Sequence, residues 1–228
     1  MRDACATYRD APQRREKEGT HTVCVDEKTG IQALEPKAPT KPMRPGQVER
    51  REFEYTRHGT QTLIGNFEVA TGQVIAPTVQ KTRGEADFAT HIARTIATDP
   101  SAGWIFVADN LTTHCSATLV LLIAGLCGSP TDTLGAKGQS GVLKSVATRK
   151  AFLTDASHRV RFVYVPKHTS WLNQIEIWFS VLSRRVIRRG VFRSTDDLRD
   201  RILKFIDYYN STLAKPYKWT YAGRPLNV

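Results

Sequence analysis

Three acidic residues stand where a cation could be held. Asp26 closes the apolar run Thr22-Val-Cys-Val, Asp109 closes Trp104-Ile-Phe-Val-Ala, and Glu176 opens an apolar helical stretch just after Asn173. Phosphoryl transfer asks little covalent chemistry of a protein, but it needs positioned divalent ions. Magnesium takes a few carboxylate oxygens and completes its octahedron with water and substrate phosphate. Three carboxylates converging at strand ends would meet that need. Each also has an ordinary reading: an aspartate after a strand forms turns or caps helices, and Asn173 with Glu176 three residues on has the spacing of a capping box.

The elements that must gather these residues can be read from periodicity. Thr22 to Asp26 is a short β-branched run followed by Glu27-Lys-Thr-Gly30, which predicts a buried strand ended by a turn. From Glu35 to Gly46, Pro36, Pro39, Pro42 and Pro45 are interleaved with Lys37, Lys41 and Arg44, a basic loop because proline removes backbone donors. Residues 61–69 and 74–79 predict a hairpin joined through Ala70 to Gln73. Phe88, Ile92 and Ile96 recur at helical spacing up to Asp99-Pro100. The strand Trp104 to Asp109 then follows, and strand, helix, strand order makes it a parallel partner for the first strand, with the two aspartates side by side.

Ser116 caps an apolar helix over 117–126. Residues 128–141 are rich in glycine, serine and threonine and lead into a helical stretch, so 128–157 is expected to be an insertion before the last core strand, 161–165. Ile175, Trp178, Phe179, Leu182 and Val186 mark one helical face, and Ser194 with Asp197 announces a final helix carried by Leu198, Ile202, Phe205, Ile206 and Tyr209. The pattern is that of an α/β layered domain over 22–228 behind a charged N-terminal segment, 1–21. The terminal tyrosines and tryptophan are assigned to packing and subunit contacts.

Composition narrows the partner. Lysine and arginine outnumber aspartate and glutamate by 33 to 22, a net charge of +11 that favours a polyanion over an acidic small molecule. Cys5, Cys24, Cys115 and Cys127 include no Cys-x-x-Cys pair, which argues against a zinc site or a disulfide framework. No apolar stretch approaches the ~20 residues of a membrane span and the first residues lack a signal-peptide core, so a reducing, cytoplasmic location is expected.

Three blocks carry a resemblance: Val25-Asp26-Glu27-Lys28, then Asp109-Asn110 with His114, then Pro166-Lys-His-Thr-Ser-Trp-Leu-Asn173-Gln-Ile-Glu176. In this order they resemble the DDE transposases of the mariner-like superfamily, including bacterial insertion-sequence relatives, and the similarity extends from about Thr22 to the segment Trp219 to Gly223. The resemblance implies a ribonuclease-H-like fold, a mixed sheet flanked by helices, in which Asp26, Asp109 and Glu176 bind two magnesium or manganese ions. There are two departures. Asp109 and Glu176 are 176 − 109 = 67 residues apart, longer than in many mariner relatives, and Gln174 stands where the family often has proline.

The implied chemistry is in-line attack by a metal-activated water on a phosphodiester, after which the freed 3′ hydroxyl attacks target DNA. Transposon ends and target DNA would be the partners, with a homodimer in the active complex. Asn110 and Asn173 are expected to support the site by orienting carboxylates or touching phosphate, and His114 and His168 by contacting DNA or, as a second choice, assisting protons, each with an ordinary cap or surface role as the alternative. Lys167 and the run Arg184, Arg185, Arg188, Arg189, paired at i,i+4, are expected to grip the DNA backbone. Two other functions remain open. One is a DNA-binding remnant without activity, since no helix-turn-helix pattern precedes the first strand. The other is a ribonuclease H or junction resolvase, which shares fold and ions but leaves the block 173–176 unexplained.

Overall fold

The computed structural model describes residues 1–50 and 52–224. Among these, β1 (Thr20–Pro36), β2 (Tyr55–Glu68), β3 (Thr78–Gln80), β4 (Gly103–Ala108) and β5 (Val160–Tyr164) form one sheet in the order β3-β2-β1-β4-β5. The pairs β1/β2 and β2/β3 are antiparallel, whereas β1/β4 and β4/β5 are parallel. Helices α1 (Arg2–Glu18), α2 (Glu85–Ile96), α3 (Ala117–Cys127), α4 (Val146–Leu153), α5 (Ile175–Leu182) and α6 (Thr195–Thr212) flank it. This order and these directions are ribonuclease-H-like, as the resemblance implied.

Strand alternation divides the core in two. Val23 and Val25 of β1, with Trp104, Phe106 and Ala108 of β4, pack toward α2 and α3. Cys24 and Val107, the alternate residues, pack toward α1, α5 and α6. Trp104, Phe106 and Trp178 are fully buried, and each such side chain contributes about 1.5–3 kcal/mol in burial free energy. Local signals place the helices as well: the Ser116 hydroxyl accepts from the Leu119 amide to start α3, Gly128 ends it at φ 66°, and the Ser194 hydroxyl accepts from Asp197 to start α6.

Several elements differ from expectation. The first strand does not stop at Glu27 to Gly30 but runs on to Pro36, with a register shift between Lys28 and Ile31 where Gly30 sits at φ 64°. The glycine signals an irregularity within a long antiparallel ribbon, which a turn-based reading mistakes for an end. The hairpin is present, but its second arm is cut to Thr78–Gln80. Ala76 at φ 43° precedes Pro77, and Val74 makes only an isolated bridge to Phe67.

The charged N-terminal stretch is α1, whose Ala4, Cys5, Tyr8 and Ala11 enter the first core. So few apolar positions on so polar a helix give a weak periodic signal. Within 128–157, Leu134, Leu143 and Leu153 are buried in the second core. Cys5, Cys24, Cys115 and Cys127 are free thiols, and among the described residues no helix is long and apolar enough to cross a membrane.

Candidate metal centre

The parallel register of β1 and β4 ends at the pair Cys24 and Val107. Asp26 and Asp109 each lie two residues beyond that pair, so strand geometry sends them to the same sheet edge on the same face. Asp26 is 8% exposed, and its Oδ1 accepts from the Glu27 amide at 2.8 Å. Burial, reinforced by the nearby Asp109 carboxylate, pushes its pKa up to about 7.

Asp109 is more open, and its Oδ1 accepts from the Leu111 amide at 2.9 Å. Burial works to raise its pKa, but His114 and the Leu111 amide outweigh it and hold the carboxyl below the usual range. His114 itself is fully buried, with Nδ1 2.7 Å from Asp109 Oδ1 and Nε2 3.1 Å from Glu27 Oε2. The Nδ1 contact lies off the hydrogen-bonding axis, so it is a Coulombic contact more than an aligned bond. Burial would lower the imidazole pKa, but the two flanking carboxylates raise it to about 9. Phe88 covers the ring at a centroid distance of 4.3 Å.

Asp26, Asp109 and His114 each offer a ligand atom within 4.8 Å of the others. The donor set suits a hard divalent ion. A buried carboxylate held near a pKa of 7 is an anion short of counter-charge, and a cation between Asp26 and Asp109 would supply it. His114 is engaged by Asp109 and Glu27 on both ring nitrogens, so it serves as a counter-charge and not as a third ligand.

Glu176 lies outside that close group among the described residues. It occupies the first turn of α5 and is partly exposed. The capping box expected at this helix is not formed. Gln174 is the N-cap without a side-chain bond, and Asn173 instead turns inward, donating to the Val25 carbonyl at 3.0 Å and reaching Asp26 Oδ2 at 3.4 Å.

Asn110 bridges the ends of β4 and β5, its Nδ2 donating to the Val165 carbonyl while its Oδ1 accepts from Lys150 Nζ. Lys167 and His168 are exposed beside a pocket that Asp109 and Asn110 also line, with His168 at φ 62°. His114 is fully buried, against Asp109 and Glu27. Arg184, Arg185, Arg188 and Arg189 are exposed, but the chain there forms a π turn over Ser183–Ile187, with Arg188 N bonded to Ser183 O at 2.8 Å. The i,i+4 stripe expected of a continuous α-helix is therefore rotated. Arg185 and Arg189 face a groove shared with Arg201 and Lys204 of α6.

Sequence reasoning did not single out Glu27 or Lys150. Glu27 was visible only as the neighbour of Asp26, and Lys150 lay in the segment set aside as an insertion.

The family described as "DDE superfamily endonuclease" matches residues 21–199. The chain belongs to this family. No curated protein matches it. Among solved structures, this DDE endonuclease domain is similar to "Mos1 transposase paired-end complex with left transposon end", at 17% identity over 94% of this chain and 62% of that one, with a TM-score of 0.36. It is similar also to "Crystal structure of the mariner Mos1 paired end complex with Mg", at 16% identity over 95% of this chain and 62% of that one, with a TM-score of 0.37. For "Crystal structure of the catalytic domain of Mos1 mariner transposase" the identity is 13%, the coverage 95% of each chain and the TM-score 0.32. The DDE endonuclease domain thus spans 62% of the length of the first two of these chains. Its strand order and directions define the fold.

Proposed function

We propose that this DDE endonuclease domain is the catalytic domain of a mariner-like transposase of the bacterial insertion-sequence kind, which cleaves DNA at transposon ends and joins the freed 3′ hydroxyl to target DNA. The observation that carries the reading is the convergence of Asp26 and Asp109, 83 residues apart (109 − 26), on one sheet edge within ligand distance of a common point. Glu176 is proposed as the third acid. Its support is the inward turn of Asn173, which ties the start of α5 to Asp26.

Asp26, Asp109 and Glu176 would hold two magnesium or manganese ions, which would supply Lewis acidity for activating a water and stabilising a departing 3′ oxygen. The chain's own residues do the positioning. Asn173 orients Asp26, His114 held by Glu27 orients Asp109, and Lys167 and His168 stand exposed beside the pocket where a phosphate would lie. Arg184, Arg185, Arg188 and Arg189 provide basic surface for the DNA backbone, in a complex proposed to contain two copies of the chain.

The test is nicking of supercoiled DNA by the chain in manganese. Asp26→Asn, Asp109→Asn and Glu176→Gln are each expected to abolish nicking while leaving thermal unfolding nearly unchanged, because clustered carboxylates repel one another when no ion is bound. Activity retained by either aspartate variant overturns the reading. DNA binding without nicking by the wild-type chain points instead to a remnant that only binds.

A further inference from the structure

We propose that Lys150 is a positioning residue of the metal centre, acting through the Asn110 side-chain amide; the proposal rests on reading Asp109 as a metal-holding carboxylate. Lys150 lies on α4, a helix whose seat is fixed at three points. Ser145 caps it by accepting from the Thr148 amide at 3.2 Å, Leu153 is fully buried, and Arg149 Nε donates to the Cys115 carbonyl at 2.8 Å. That last bond fastens α4 to the 3₁₀ turn Thr112–Cys115, which follows Asp109 by three residues and carries His114.

From this seat the Lys150 ammonium reaches the site. Its Nζ donates to Asn110 Oδ1 and lies 5.0 Å from the centroid of the Tyr164 ring, while the Tyr164 hydroxyl donates to the His114 carbonyl at 2.7 Å. An asparagine amide can present either end to a neighbour. An ammonium has only donors, so it selects the oxygen and leaves Nδ2 to face the Val165 carbonyl, the bond observed. This side-chain link extends the backbone bond from Val165 N to Ala108 O at 2.9 Å.

Together they hold the carboxyl ends of β4 and β5 side by side. One end carries Asp109, and the other leads into the loop that ends at α5, whose first turn carries Glu176. Without Lys150 the amide can turn over, the side-chain link opens, and the spacing between the Asp109 strand end and that loop is no longer set.

The experiment is Mn²⁺ binding to the full chain, followed by electron paramagnetic resonance, beside steady-state nicking. Lys150→Met keeps the aliphatic stem over Tyr164 and removes the donor. It is expected to weaken Mn²⁺ binding about tenfold, the scale of losing an outer-shell partner, with kcat reduced and both the KM for DNA and the melting temperature unchanged. Lys150→Arg, which restores a donor, is expected to recover most of the affinity.

Asn110→Ser removes the relay and should weaken Mn²⁺ binding similarly, and adding Lys150→Met to it should cost nothing more. Wild-type Mn²⁺ affinity in Lys150→Met overturns the proposal, and so does an additive double variant. So does a raised KM for DNA with unchanged Mn²⁺ binding, which identifies a phosphate contact. The metal-centre reading fails separately, if Asp109→Asn binds Mn²⁺ as the wild type does.

Discussion

Asn173 reaches across 147 residues of sequence to set its side-chain amide 3.4 Å from Asp26 Oδ2 and 3.0 Å from the Val25 carbonyl. It is fully buried, and its own Oδ1 has no hydrogen-bond partner among the described residues. The bond joins the start of α5 to the end of the central strand, and so couples the position of Glu176 to that of Asp26. Asn173→Ala leaves the buried Val25 carbonyl without this donor, which costs about 1–3 kcal/mol. The expected result is a lower melting temperature together with weaker Mn²⁺ affinity. Lost stability with unchanged affinity would restrict Asn173 to packing.

Glu27 and His114 form a buried ion pair, with side chains 2% and 0% exposed. Removing one member of such a pair strands the other charge and costs about 3–5 kcal/mol. Glu27→Ala is therefore expected to lower the unfolding free energy by about 3 kcal/mol in urea titrations, with Glu27→Gln, which still offers an oxygen, losing less. A change below about 0.5 kcal/mol in the alanine variant, the range of ordinary surface substitutions, would show that the pair does not hold the fold.

Gln174 is fully buried, and neither polar atom of its side chain has a hydrogen-bond partner among the described residues. Its φ is −62°, and Asn173 before it has φ −77° and ψ 112°, a pair of conformations that proline accepts. Gln174→Pro removes two stranded polar atoms and restricts the unfolded chain, but it also removes a backbone amide that faces the buried Tyr8 hydroxyl and Cys24 thiol. The opposing contributions should leave a net gain in unfolding free energy below about 1 kcal/mol, measured by calorimetry. A lower melting temperature would mean that the Gln174 side chain or amide makes a contact the protein needs.

His91 is buried on α2 with Nδ1 2.8 Å from the Thr78 hydroxyl, and burial, aided by the positive Arg94, lowers its pKa to about 3. Its folded pKa lies below the unfolded value of about 6.5, so the unfolded chain binds the proton more readily between those values. The stability it contributes is fully present above pH 6.5 and lost as pH falls toward 3. Between pH 7 and pH 5 the loss is about 2 kcal/mol. His91→Gln is expected to flatten that part of the stability curve in urea titrations at stepped pH, and an unchanged acid slope would assign the loss to other groups.

Two carboxylates of the candidate site are legible in the sequence. Asp26 and Asp109 each end an apolar run, and such a run predicts a buried strand whose next residue emerges at the sheet edge. The helix signals are equally local: Ser116 and Ser194 mark starts that the structure has, because a cap is a bond between near neighbours. Gly30 and Pro36 misled for the same reason. A glycine in the left-handed region serves a bulge as well as a turn, and what distinguishes them is the neighbouring strand.

Local pattern could also name the residue types that suit metal and DNA, since carboxylates, amides and arginines carry their chemistry wherever they stand. Which of them meet is another matter. Glu27 and His114 are 87 residues apart, Asn110 and Lys150 are 40 apart, and nothing in the spacing of either pair marks it as a contact. Such meetings follow from the register of β1 against β4 and from the seat of α4 on the turn after Asp109. Register and packing are settled by the total burial of apolar surface across the whole chain, whereas periodicity reports only which face of each element is apolar.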